Sequence, residues 1–132
     1  MTIELYCLVV LTIFFCIAWL PASLAKRKTY GRSYLLSNRD TKDLPALPDW
    51  AERSHRAYEN LKCYFPGFIV AILVLAHLQV STPGTQVAAI VFTASRLGHF
   101  AAYTMGHVLL RALFWGIALV ANLFLLITAL TY

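Results

Sequence analysis

The chain has 132 residues, of which 60% are hydrophobic and 13% are charged, with 11 Lys and Arg against 6 Asp and Glu. Soluble domains carry about 25% charged residues, so this composition excludes an ordinary water-soluble enzyme, and its hydrophobicity excludes a disordered chain. A lipid bilayer is the solvent that fits. The cysteines lie at positions 7, 16 and 63, and they predict neither a disulfide framework nor a metal site.

Four apolar runs predict four membrane-spanning helices, because one span needs about 20 residues. The predicted helices cover residues 3–25, 50–79, 86–105 and 108–131. The basic residues follow the first run instead of preceding it, so we interpret this run as a retained helix and not as a signal peptide. The sequence therefore predicts an all-α integral membrane protein, a four-helix bundle in a single domain over 1–132, with a loop over 26–49.

Turn and capping residues mark the ends of these helices. Asp49 is expected to cap the second helix, and Glu52 three residues later favours the same start. The segment 81–84, Ser-Thr-Pro-Gly, is expected to close that helix. Gly106 and His107 predict a very short hairpin between the third and fourth helices.

Basic residues are concentrated at two of the connections. Six lie in 26–42 and three in 53–62, followed only by Arg96 and Arg111. By the positive-inside rule, the first and third connections face the cytoplasm and both termini lie outside. The positive charge thus indicates topology, and no basic and aromatic stripe in a water-facing domain supports nucleic-acid binding.

Polar side chains follow helical spacing on the second and third helices. One face of the second helix carries Arg53, Arg56, Asn60 and Tyr64, and one face of the third carries Arg96, His99 and Tyr103. Asn60 lies about ten residues from the cytoplasmic start of its helix and Arg96 about nine from the cytoplasmic end of its own. At 1.5 Å per residue, both lie about 14 Å deep. We therefore expect the two faces to meet at one level.

An arginine at this depth is unfavourable unless it faces protein or a polar cavity. One interpretation is an internal ion pair of Arg96 with Glu59 or Glu52, supplemented by hydrogen bonds to Asn60. The other is an anion-binding cavity, in which Arg56, Arg96 and Arg111 face the carboxylates of a ligand and the tyrosines supply hydroxyl donors. For Arg53 and Arg56, attraction to anionic lipid headgroups is a further interpretation.

Two separated segments resemble the MAPEG family, the membrane-associated proteins in eicosanoid and glutathione metabolism. The first is ERSHRAYENLKCYFP over 52–66, preceded by Asn38-Arg39-Asp40, Leu44-Pro45 and Trp50. It is similar to the family pattern E-R-x-x-R-A-x-x-N-x-x-E-x-x-P. The second is RLGHFAAY over 96–103, followed by Arg111, which resembles the family's R-x-x-H/Y-x-x-x-Y and the arginine that opens its fourth helix. The resemblance covers most of the chain, from about residue 38 to the end.

The resemblance implies a homotrimer of four-helix subunits that binds glutathione between neighbours, near the cytoplasmic side. The implied glutathione site is lined by Arg53, Arg56, Asn60, Tyr64, Arg96, His99 and Tyr103. Arg111 corresponds to the arginine that stabilises the glutathione thiolate, and it is the expected catalytic residue. The implied activity is a glutathione transferase or peroxidase that acts on lipophilic electrophiles or lipid hydroperoxides reached from the bilayer. For a bacterial-type member, the expected location is the inner (cytoplasmic) membrane. Small residues such as Gly98 are compatible with close helix contact.

One position departs from the family pattern. Cys63 stands where the pattern has glutamate, and this carboxylate would balance the arginines. Glu59, one turn away, is a candidate to replace it, and Cys63 is expected to be a small buried apolar residue. The substitution therefore leaves a second function open: a structural or interaction subunit that keeps the fold without the activity. A transporter is disfavoured, because no inverted repeat is visible.

Overall fold

The computed structural model describes all 132 residues and contains six helices and no strands. The helices are α1 (Ile3–Ile17), α2 (Leu20–Tyr30), α3 (Arg32–Leu35), α4 (Asp49–His77), α5 (Pro83–Met105) and α6 (Val108–Thr131). Three helical stretches are long and apolar enough to cross a membrane: Ile3–Tyr30, Asp49–His77 and Val108–Thr131. The prediction of an all-α integral membrane protein is confirmed. That α5 also spans the membrane, which would make four spans, stays a prediction.

The first predicted helix is broken in two and extends further than expected. α1 ends at Ile17, and α2 begins at Leu20 with Pro21 in its first turn, where the missing N–H of proline removes no helical hydrogen bond. α2 continues to Tyr30 and stops at Gly31, whose φ of 87° favours glycine. The prediction of a helix over 3–25 followed by a loop was therefore wrong for the start of that loop, which holds the end of α2 and all of α3.

The start of α4 differs from the predicted cap. Pro48 occupies the N-cap position, no side chain caps the helix, and Asp49 is its first helical residue. A carboxylate in the first turn still interacts favourably with the helix dipole. The capping role assigned to Asp49 was wrong, because the extended backbone of Pro48 already ends the loop one residue earlier.

α5 begins three residues before its predicted start. Thr82 caps it, and the Thr82 and Thr85 side chains each accept a hydrogen bond from the other residue's backbone N–H, forming a capping box. Pro83 and Gly84, expected in the turn, form the first turn of the helix. At its other end, Gly106 adopts a left-handed conformation with a φ of 84°, and the chain turns directly into α6 at the predicted hairpin.

α5 is the central helix of the bundle and packs against α1, α4 and α6. The rings of Phe68 on α4 and Phe92 on α5 stack with centroids 4.2 Å apart. Phe14 on α1 meets Phe100 on α5 edge to face at 5.2 Å. This arrangement brings the polar faces of α4 and α5 together inside the bundle.

A buried acid holds the opposite end of the bundle together. Glu4 at the start of α1 is 2% exposed, and its carboxylate accepts hydrogen bonds from Thr85 Oγ1 at 2.6 Å and from Ser81 Oγ at 3.1 Å. These bonds connect α1 to the α4–α5 turn. Every donor here comes from the protein itself.

Candidate functional site

Arg96 forms the deepest part of the site. It is 1% exposed, and its Nη2 donates a hydrogen bond of 2.7 Å to Asn60 Oδ1. The Arg96 guanidinium carbon lies 5.3 Å from the ring centroid of Tyr64, within the range of a cation–π contact. Its Nε has no hydrogen-bond partner. Asn60, Tyr64 and Arg96 therefore form one group, which we call the deep group.

No acid neutralises this buried cation. Glu59 pairs instead with Lys62 at 2.9 Å, in the only ion pair of the chain, and both side chains are about half exposed. The internal ion pair, one of the two interpretations of Arg96, is therefore absent, although the hydrogen bond to Asn60 is present. In the single chain Glu59 is paired with its neighbour Lys62 on α4 and not with an arginine of the site. Cys63 is exposed in the single chain, so the expectation that it is buried was wrong.

A second group lies one turn further along α5, towards the hairpin. The Arg111 guanidinium carbon lies 4.6 Å from the ring centroid of Tyr103. The ring of His99 meets the Tyr103 ring nearly at right angles, with centroids 5.7 Å apart. His99 is buried, and its Nδ1 has no partner. We call His99, Tyr103 and Arg111 the hairpin group.

Arg53 closes the site at the α5–α6 hairpin. Its Nε donates a hydrogen bond of 3.0 Å to the carbonyl of Thr104 in the last turn of α5, where backbone carbonyls lack helical partners and favour a cation. Its guanidinium also lies beside Gly106. A cavity of about 260 Å³ opens here, lined by Arg53, Ala102, Tyr103, Gly106, His107, Val108 and Arg111.

Arg56 is the one predicted site residue that the single chain does not bring into the site. Its side chain is exposed and makes no hydrogen bond or ion pair within the chain. Its spacing from Asn60 places it on the same side of α4, one turn nearer the start of the helix, where the side chain is exposed. In a single chain, the site therefore contains seven of the eight predicted residues, with Arg53 at the hairpin, and remains open on the side of Arg56.

Sequence reasoning missed three neighbours of these groups. Trp115 on α6 meets the ring of Tyr64 edge to face, with centroids 6.0 Å apart. His107 lines the cavity at the hairpin, and the ring of Phe114 lies directly on Gly98. The small size of Gly98 indicated a close helix contact, but no pattern in the sequence identified Phe114 as its partner.

A second basic cavity lies on the other side of α4. It has a volume of about 200 Å³ and opens between α2 and α4. Its lining includes the charged residues Lys26, Arg39 and Glu59, together with His55. Since Glu59 is already paired with Lys62, this cavity also carries an excess of positive charge.

The family model of the MAPEG family matches residues 3–131 of the chain. No curated protein and no solved structure matches it. The family match covers both groups and the hairpin between α5 and α6, so the resemblance predicted from the two motifs is confirmed over nearly the whole chain.

Proposed function

Because the chain belongs to the MAPEG family, we propose that it is a membrane-embedded, glutathione-dependent transferase or peroxidase acting on lipophilic electrophiles or lipid hydroperoxides. The observation that carries this proposal is the buried Arg96, whose charge has no acidic partner and whose Nε has no hydrogen-bond partner. A buried cation without a counter-charge is unfavourable. An anionic ligand would supply the missing partner.

Glutathione suits this arrangement chemically. It is a flexible peptide with two carboxylates and one thiol, and guanidinium groups bind carboxylates with paired hydrogen bonds. The deep group offers Arg96 and Tyr64 to such a ligand, and the cavity at the hairpin offers Arg53. In this proposal the carboxylates bind the arginines, and the peptide lies between the two groups.

Arg111 is the proposed catalytic residue. A cation beside a thiol favours the thiolate, which is the nucleophilic form. With Arg111 near the sulfur, the thiol releases its proton to water, and the thiolate forms a bond to an electrophilic atom of the lipophilic substrate while the bond from that atom to its leaving group breaks. The ring of Tyr103 lies beside this arginine, and His99 contacts that ring, so both contribute to a polar environment for the developing charge.

The membrane arrangement is part of the same proposal. α5 has 23 residues and measures about 35 Å at 1.5 Å per residue, which matches a hydrocarbon core of about 30 Å. In this proposal α5 also spans the membrane, so the chain has four spans. They lie in the inner membrane, with the basic loop on the cytoplasmic side and both termini outside.

We further assign the working unit to a homotrimer with one glutathione between neighbouring subunits. The two basic cavities on opposite sides of α4 support this arrangement. Each is open in a single chain, and a ring of identical copies brings unlike faces of neighbours together. One subunit's Arg56 side can then be completed by the basic side of the next. Crosslinking in mild detergent that gives only monomers would contradict the trimer.

Calorimetric titration of glutathione into the purified protein tests the function. The native chain should bind, and Arg96→Gln should weaken binding at least about tenfold, because a charged hydrogen bond to the ligand is lost. Arg32→Gln removes an exposed arginine from α3 and should bind like the native chain. Equal weakening by both variants would show a general charge effect and no site.

A structural or interaction subunit of a membrane assembly is the second candidate function. It is favoured by Cys63, which leaves the arginines without the family's carboxylate, and by the pairing of Glu59 with Lys62. This candidate predicts that the native chain binds no glutathione and that Cys63→Glu gains binding. Cys63→Ser is the matched control, because it replaces the thiol without adding a carboxylate.

A further inference from the structure

The ring of Phe114 on α6 lies directly against Gly98 on α5. A Cβ atom placed on Gly98 would lie 2.8 Å from Cζ of the Phe114 ring and 2.9 Å from both Cε atoms. Carbon atoms in good contact are separated by about 3.5 to 4.0 Å. The tip of the ring therefore fills the space in which any other residue at position 98 would carry its side chain.

This contact lies next to both groups of the site. On α5, Gly98 lies between Arg96 of the deep group and His99 of the hairpin group. On α6, Phe114 follows Arg111 by three residues, which is about 4.5 Å along the helix. A change in the separation of α5 and α6 at Phe114 is therefore expected to move Arg111 as well.

We infer that Gly98 and Phe114 are positioning residues for the site: their contact holds α6 at the separation from α5 at which Arg111 lies over Tyr103. The distance between packed helix axes depends on the side chains at the contact, and the Arg111 guanidinium carbon lies 4.6 Å from the Tyr103 centroid. A side chain at position 98 forces the ring outward and moves α6 with it. The part of this inference that concerns glutathione affinity rests on the proposed function.

Gly116 provides a matched control on the same pair of helices. A Cβ at this position meets no atom within 4 Å, so alanine fits there without moving either helix. Gly98→Ala and Gly116→Ala add the same methyl group to membrane helices. Only the first presses on Phe114, and the comparison separates helix spacing from a general effect of replacing glycine.

Two readouts test the inference. Trp115 adjoins Phe114 and contacts Tyr64, so its fluorescence reports the position of α6 once Trp19 and Trp50 are replaced by phenylalanine. In that background, Gly98→Ala and then Gly98→Val should shift the emission progressively, and Gly116→Ala should leave it unchanged. Glutathione affinity should fall about tenfold or more for Gly98→Val, since this variant displaces Arg111 from the thiolate, and the loss of one charged contact with a ligand has effects of this size.

A compensating variant distinguishes positioning from loss of folding. Adding Phe114→Leu to Gly98→Ala removes the far edge of the ring, and should restore both the emission and the affinity. Normal binding by Gly98→Val, or a double variant that stays impaired, overturns the inference. If the native protein itself binds no glutathione, the proposed function is contradicted, and the Trp115 emission still decides whether Gly98 sets the position of α6.

Discussion

The two ends of the bundle each bury a charged residue, but the two residues differ in their hydrogen bonding. At the α4–α5 turn, Glu4 accepts hydrogen bonds from Thr85 and Ser81. Towards the α5–α6 hairpin, Arg96 has one partner, Asn60, and an Nε with none. The protein supplies hydrogen-bond donors to the Glu4 carboxylate, but it leaves part of the Arg96 guanidinium without an acceptor.

This difference distinguishes a structural polar cluster from a binding site. Buried polar groups in a finished structure are nearly always hydrogen-bonded, as the Glu4 carboxylate is. At the other end, His99 Nδ1 joins Arg96 Nε as a buried atom without a partner, and a cavity of about 260 Å³ lies at the hairpin beyond them. The arginine end is therefore where a ligand can contribute most.

The largest expected effect on stability lies at the Glu4 end. Thr85→Val removes the 2.6 Å hydrogen bond to the buried carboxylate together with the capping-box bond from Thr82 N–H, and should lower the free energy of unfolding by about 2 kcal/mol. Thr93→Val is the matched control, since Thr93 is buried on the same helix and its Oγ1 has no partner. Unfolding in mixed micelles, followed by circular dichroism, measures both. Equal losses would contradict a specific role for the Glu4 cluster.

The hairpin at the arginine end should show a smaller effect. Gly106 has a φ of 84°, a left-handed conformation that costs residues with a Cβ about 1 kcal/mol. Gly106→Ala should lose about this much stability from the backbone alone, because the new methyl would lie 3.4 Å from the guanidinium carbon of Arg53, at ordinary contact distance. Gly106→Asn should lose less, because asparagine tolerates this conformation. The same unfolding assay should rank native, Asn and Ala in this order.

The smallest expected effect is at Arg96 itself. Arg96→Met removes the hydrogen bond to Asn60 but also removes a buried charge that has no counter-charge, and the two effects oppose each other. The free energy of unfolding should change by less than about 1 kcal/mol, while glutathione binding is lost. A loss of stability as large as that of Thr85→Val would mean that Arg96 is a structural residue like Glu4.

The sequence predicts the class of fold and most of the site because both depend on local signals. Composition indicates the bilayer, and spacing by three and four places Asn60 and Tyr64 on one face of a helix. That Arg96 and Asn60 meet follows from equal depth on antiparallel helices. Arg56 shows the limit of this reasoning, since sharing a face with Asn60 does not bring it into the bundle of a single chain.

The features that the sequence did not predict depend on competition or on distances between helices. Several cationic partners were possible for Glu59, and in the structure it forms an ion pair with Lys62 on the same helix. The break between α1 and α2 was not predicted, because the sequence pattern does not show that Pro21 lies in the first turn of a new helix. The contact of Phe114 with Gly98 depends on how closely α5 and α6 pack, which the spacing of residues along either helix does not determine.

The most direct test of the central claim is the ultraviolet absorbance of the glutathione thiolate on mixing with the protein at neutral pH. The native chain should give a thiolate signal that saturates at the number of bound glutathione molecules. The analogue with a methyl group in place of the thiol should bind without this signal. At a glutathione concentration that saturates it, Arg111→Met should leave the bound thiol largely protonated. No signal with the native chain, or an equal signal with Arg111→Met, would contradict the account.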